Sequence, residues 1–265
     1  MSSSRFSRII RGGLTTALAF GIAATAAPSV AFAAGDGNPL VNFPSFNGSS
    51  KALDRNGTAD IIIAPGPRHQ RILRLTTGGF RQSGSAWAKT KVDLNQSFES
   101  AFKVYLHHAD PGADGIAFLV QTEGPRALGG WGGGLGYRGI KKSVAVEFDT
   151  FKNSSAQNST DPDNNHVGIV IGGNPDVHAA TGSPAVPLYG RPFDARVVYD
   201  AATKSLSVYV KSFRSGSPEQ LVVRQTVDLA AAAGGSSAWL GFTAGTGTAL
   251  SKQDIYSWSV QGAEA

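Results

Sequence analysis

The sequence predicts an all-β fold, a sandwich or barrel of antiparallel strands, on three observations. Short β-rich runs recur at close intervals, and Gly, Pro, Asn and Ser fill the gaps between them. Helix-forming sequence is scarce: the one Ala-rich stretch, "DLAAAAGGSS" from Asp228, is too short for more than a turn of helix before a strand. No fixed-period repeat and no linker divides the chain, so its length fits one domain with an ample core.

Taken in order, the expected strands are "DIIIA", "RILRLT", "SFESAFKVYL", "GIAFLVQ", "SVAVEFDTF", "HVGIVIG", "DARVVYD", "SLSVYVKS", "QLVVRQTV", "AWLGFTAG" and "DIYSWSV". Within "ARVVYDAATKSLSVYV" two β-branched runs flank a polar turn, which predicts a hairpin. His107 and His108 end a strand and read as surface residues.

The first 33 residues read as an address rather than as structure. Arg5, Arg8 and Arg11 precede the apolar run "LTTALAFGIAATAA", and "AFA" at Ala31 to Ala33 offers small residues for cleavage. The run is short for a bilayer span, and no other long apolar run exists. The expected organisation is a signal peptide over 1–33 and a single secreted, extracellular domain over 34–265, with no membrane span in the mature form. Without those three arginines, 21 basic residues face 19 acidic ones, a balance that gives no support to nucleic-acid binding. Cysteine is absent, so a secreted chain must rely on its core and on bound ions rather than on disulfides.

The stretch "VAVEFDTFKNSSAQNSTDPDNNHVGI" (144–169) carries the chemistry. Alternation along a strand puts Ala145, Glu147, Asp149 and Phe151 on one face and Val144, Val146, Phe148 and Thr150 on the other. The two carboxylates then stand about 6 to 7 Å apart on one side, within reach of one ion. A carboxylate buried on a strand needs a cation or several hydrogen bonds. The loop beyond offers Asn153, Asn158, Asp161, Asp163, Asn164 and Asn165 before His166 opens the next strand. Hard oxygens suit calcium, whereas an imidazole beside carboxylates suits a transition ion such as manganese.

With "GSAWAKTKVDLNQSFESAFKVYL" (84–106), "ADGIAFLVQ" (113–121), "GGGLGYRGI" (132–140) and "LGFTAGTGTALSKQDIYSWSV" (240–260), this stretch resembles the legume-lectin (L-type lectin) family over nearly all of the mature chain. The glycine stretch with "SVAVEFDTF" is closer to bacterial members than to plant ones. The resemblance implies a concanavalin A-like antiparallel β-sandwich, or jelly roll, that binds glycans, has no chemistry of its own and often forms a homodimer through its flat sheet. It implies Glu147, Asp149, Asp161 and His166 for Mn2+ or another divalent transition ion. For Ca2+ it implies Asp149, Asp161, the Phe151 carbonyl and Asn153. The spacing from Asn153 to Asp161 is longer than in plant members, which leaves Asn158 as an alternative calcium-binding amide.

The sugar clamp implied by the resemblance comprises Asp114, after a cis Ala113–Asp114 peptide, with Asn153 and a backbone N–H of Gly132 or Gly133. Phe151 would stack on the sugar's apolar face. The loop "TAGTGTALSKQD" places Gly247, Thr248 and Ala249 at sugar-contacting positions, and its length is like that of mannose/glucose-binding plant members.

Two other readings remain open at this stage. Laminarinase-type glycoside hydrolases share the sandwich and carry an E-x-D-x-x-E or E-x-D-x-E strand, but here Lys152 and Phe151 occupy the places of the second Glu, so the acid is missing. An adhesive sandwich without sugar affinity would share the fold but have no use for the clamp. The "GGWGGGLG" stretch lacks the Lys-Ser/Thr of a phosphate loop. Five N-x-S/T matches fall at Asn47, Asn56, Asn95, Asn153 and Asn158. A glycan on Asn153 would block its calcium role.

Overall fold

Fifteen strands carry the described residues into two antiparallel sheets. The computed structural model describes residues 39–65, 69–110, 112–154, 159–214 and 216–262. The expected leader and Asn158 lie outside them.

One sheet has eight strands: β1 (Val41–Phe43), β3 (Asp60–Ile63), β4 (Arg71–Thr77), β6 (Phe98–Leu106), β11 (Pro192–Asp200), β12 (Ser205–Ser212), β13 (Gln220–Thr226) and β15 (Lys252–Gly262). Their order is β13-β12-β11-β6-β15-β4-β3, with β1 paired to the far half of β15. The other has seven: β2 (Leu53–Gly57), β5 (Ser83–Asp93), β7 (Gly115–Gln121), β8 (Ser143–Asp149), β9 (His166–Ile171), β10 (Ala180–Gly182) and β14 (Ser237–Gly245), in the order β10-β9-β8-β7-β14-β5-β2. The expected hairpin is β11–β12, closed by Asp200, whose Oδ1 accepts from Ala202 N–H at 2.9 Å and Thr203 N–H at 3.1 Å. The Ala-rich stretch is the five-residue helix α1 (Leu229–Ala233), capped by Asp228 Oδ1 on Ala231 N–H at 3.0 Å and ended by left-handed Gly234.

The main core lies between the sheets. Phe102 from β6 meets Phe118, Phe148 and Phe242 of the facing sheet, with ring centroids 5.6, 5.7 and 4.9 Å away. Trp258 packs edge-on against Phe242 at 4.9 Å. A second, smaller core covers the outer face of the seven-stranded sheet. There Leu135, Tyr137 and Ile140 lie over Trp87, Ala117, Leu119, Ala145 and Val170. The central strands are therefore buried on both faces. Val144, Val146 and Phe148 of β8 point into the main core while Ala145 points into the smaller one, the alternation expected from the sequence. Glu147 and Asp149 continue the Ala145 face to the point where the apolar cover ends.

Four strands escaped the sequence reading: β1, β2, β5 and β10. β1 and β10 have three residues each, and β2, "LDRNG", is a polar edge strand. β5 loses strict alternation because its register with β14 shifts between Trp239 and Gly241, leaving Lys89 to Lys91 exposed in sequence. His107 also departs from expectation. It is half-buried, with Nε2 2.6 Å from Oδ2 of the fully buried Asp254, which Arg74 grips through two bonds of 2.8 Å. His108 is exposed, as expected.

Candidate functional site

Pairing with β9 builds the candidate metal face. Asp149 sits opposite His166 and Glu147 opposite Gly168, so a carboxylate and an imidazole from neighbouring strands share one side. The loop between them returns Asp161 to the same place: Asn153 N–H donates to Asp161 Oδ2 at 2.7 Å, and Ser159 Oγ donates to Asp161 Oδ1 at 2.6 Å. His166 Nε2 then lies 3.8 Å from Glu147 Oε1 and 3.9 Å from Asp161 Oδ1. Ligand atoms of Asp149, Asp161 and His166 fall within 4.8 Å of one another.

The electrostatics of this cluster call for a cation. Burial pushes Asp149 well above the usual carboxylate range, and the neighbouring charge of Glu147 pushes it further against a 2.6 Å bond from Phe151 N–H. Burial also acts upward on Glu147, but the nearby His166 imidazole and the bond from His178 outweigh it and hold that carboxyl below its ordinary value. Tyr137 donates to Glu147 Oε2 at 2.6 Å. His166 is drawn upward by Glu147 in spite of its burial. Its Nε2 is buried without a hydrogen-bond partner among the described residues. An orphaned imidazole nitrogen aimed at carboxylates fits a metal centre, because a divalent ion would satisfy all of them at once.

Not every polar residue of the loop joins the cluster. Asn165 is committed to structure, accepting from Leu188 N–H at 2.8 Å and donating to the Pro184 carbonyl at 3.1 Å. Asp163 accepts from Asn165 N–H at 2.7 Å and from Ser183 Oγ. The sequence reading also missed His178, which lies in the β9–β10 connection and bonds Glu147 Oε1. A lone His in "NPDVHAATG" forms no pattern with the 147–166 stretch, and only the register of β10 on β9 brings it in.

Beside the cluster, the Ala113–Asp114 peptide is cis. The Asp114 carbonyl accepts from Thr150 N–H at 2.9 Å and Oγ1 at 3.1 Å, which ties this loop to the end of β8. The Asp114 side chain is buried, and its Oδ2 lacks a partner among the described residues. Burial pushes this carboxyl up to about 7. Gly132 and Gly247 border that oxygen: a Cβ on either would lie 3.9 or 3.6 Å from it. Gly133 abuts Asn153, since a Cβ there would stand 2.8 Å from Asn153 Nδ2. The Gly132 N–H donates to the Thr246 carbonyl at 3.0 Å and is thereby occupied.

In the 247–249 loop Thr248 is exposed, while Ala249 is buried and its carbonyl accepts from Gly247 N–H at 3.2 Å. The Phe151 ring is 37% exposed at the end of β8. Arg81 bonds the Gly247 carbonyl through its N–H at 3.1 Å and lies between the exposed rings of Phe80 and Trp131, 4.8 and 4.7 Å from their centroids.

Comparison with known proteins agrees with this geometry. The family model of the legume lectin beta-barrel domain matches residues 45–259. A lectin of Onobrychis viciifolia is 35% identical over 188 residues, covering 65% of this chain and 70% of that protein. A galactose-binding lectin of Arachis hypogaea is 28% identical over 204 residues, covering 72% and 70%. The solved structure of peanut lectin with a nine-residue peptide superposes with a TM-score of 0.69 at 27% identity, over 83% of this chain and 95% of that one. The chain belongs to the legume (L-type) lectin family, whose members bind carbohydrate and are non-catalytic.

Proposed function

We propose that the protein is a secreted, metal-dependent lectin that binds one hexose unit in the hollow between the Asp114 loop, the 132–134 turn, the end of β8 and the 247–249 loop. The observation that carries this reading is the buried Asp114 Oδ2, without a partner among the described residues and bordered by Gly132 and Gly247. A buried polar atom without a protein partner is rare in a folded chain, and adjacent sugar hydroxyls supply the donors that such an oxygen lacks.

Each residue has a part in that clamp. Asp114 accepts from two neighbouring hydroxyls. Asn153 donates through its amide from the side facing Gly133. With the Gly132 N–H bonded to Thr246, Gly133 is the better placed backbone donor. Phe151 offers its exposed ring to the apolar face of the sugar. Thr248 is available at the loop tip for contacts that differ between sugars, whereas Ala249 shapes the loop from beneath.

Glu147, Asp149, Asp161 and His166 would hold the transition ion, and Asp149, Asp161, Asn153 and the Phe151 carbonyl would hold calcium. When bound, the ions supply the positive charge that lets all three carboxylates ionise in a buried place. Both mannose/glucose and galactose remain in play for specificity. Loop length favours the former, and the name of the Arachis hypogaea relative favours the latter.

A shallow site with one clamp and one ring binds a monosaccharide at about millimolar strength, near −4 kcal/mol. The direct test is Asp114→Asn. Calorimetric titration with the preferred sugar should show binding lost, while metal content and melting temperature stay close to wild type. Retained affinity would remove Asp114 from the site.

A further inference from the structure

His178 stands outside the ligand set that the sequence pointed to, yet its ring closes the same cluster. Its side chain is 3% exposed. Its Nε2 contacts Glu147 Oε1 and lies 3.9 Å from Asp161 Oδ1, the same two oxygens that His166 Nε2 approaches at 3.8 and 3.9 Å. A divalent ion with bonds of about 2.0–2.2 Å joins donors up to about 4.4 Å apart, so the 3.8 and 3.9 Å separations suit a shared centre, and an ion would replace the direct His178–Glu147 bond.

Both rings turn Nε2 toward the cluster, and in His166 that nitrogen faces inward with its lone pair. His166 Nδ1 is 2.8 Å from the Asp163 carbonyl, which can only accept, so that nitrogen carries the proton. His178 Nδ1 is 2.6 Å from Thr160 Oγ1. The proton that Nε2 shares with Glu147 Oε1 would leave on binding of an ion, and the Thr160 hydroxyl, which accepts as readily as it donates, would then take the proton of Nδ1. Such bonds on the outer nitrogen are how proteins orient metal-binding imidazoles.

The strand beneath leaves room for the ring. Gly168 lies opposite Glu147, and a Cβ there would stand 2.5 Å from Glu147 Oε1 and 2.5 Å from His178 Cδ2. The fully buried His166 Nε2, without a partner among the described residues, independently marks the centre of the cluster as a place for an electron-pair acceptor.

We infer that His178 is a second imidazole ligand of the transition-ion site, and that the site selects zinc over manganese. The inference rests on the metal-dependent reading given above. Affinity for mixed nitrogen and oxygen sites rises from manganese toward the later first-row ions, and a second imidazole strengthens that bias because imidazole suits zinc where carboxylate suits manganese.

The test uses the whole protein, stripped and reloaded with Co2+ as a paramagnetic stand-in for zinc. Proton NMR should show two exchangeable, strongly shifted imidazole N–H signals, falling to one in His178→Ala and in the better size-matched His178→Gln. In parallel titrations both variants should lose more than about a hundredfold in Zn2+ affinity, above the roughly 10–100-fold that a merely supporting partner costs, and less in Mn2+ affinity. A single shifted N–H in the wild type, unchanged in folded variants, would overturn the ligand role and leave the metal site standing. Failure of the wild-type protein to take up Co2+ or Zn2+ at all would overturn the inference together with the metal-dependent reading beneath it.

Discussion

Glu147 shows how one residue can be legible in its chemistry and hidden in its company. Its place beside Asp149 follows from strand alternation, and a carboxylate on a buried strand demands a partner. The partners themselves come from afar: the Tyr137 hydroxyl from the glycine-rich stretch and the His178 imidazole from the β9–β10 connection. Neither stands at a spacing that a strand or helix period could single out. Glu147→Gln keeps the shape but removes the charge and leaves His178 facing a neutral amide. Transition-ion uptake should be lost, and unfolding in denaturant should show a cost of about 1–3 kcal/mol from the weakened buried bonds. Unchanged metal stoichiometry in this variant would take Glu147 out of the ligand set.

At the scale of elements, the strands that read clearly are those whose two faces differ or whose apolar run is long. β8 could be assigned residue by residue because Val144, Val146 and Phe148 alternate with Ala145, Glu147 and Asp149. β5 could not, because a register shift against β14 breaks its period. The β11–β12 hairpin was legible from "DAATK", and its turn carries a pH-dependent increment. Bonds from Thr203 and Ala202 N–H groups hold the Asp200 carboxyl below its ordinary value. A carboxylate with a lowered folded-state pKa stabilises above its unfolded pKa and loses that contribution as pH falls through the folded one. Asp200→Ala should therefore destabilise by about 0.5–1.5 kcal/mol at neutral pH, and the gap from wild type should close in strong acid. Denaturant melts at the two pH values check this; a gap that persists in acid would assign the effect to backbone preference rather than charge.

Across the whole molecule, two layers of packing set the site. The main core joins the sheets, and the smaller outer core holds the 132–140 stretch over β7 and β8, so the turn bearing Gly133 is fixed relative to Asn153 and Asp114. Phe102→Ala, at the centre of the main core, should cost about 3–5 kcal/mol in equilibrium unfolding. Asp254→Ala leaves Arg74 and His107 without their buried carboxylate and should cost a similar 3–5 kcal/mol. That second prediction was out of reach of the sequence, where His107 looks like a strand-end surface residue. Its partner lies 147 positions away and meets it only because β6 and β15 are neighbours in the sheet.

In the proposed function the buried acidic cluster and the Asp114 hollow work together as a metal-dependent sugar site. The decisive experiment is a glycan-array screen with calcium and a transition ion, repeated after chelation. A defined set of bound glycans sharing one terminal hexose is expected, with every signal lost on chelation and restored by reloading. Binding of the same glycans by fully metal-free protein would contradict it, as would no binding by protein shown to be folded and metal-loaded.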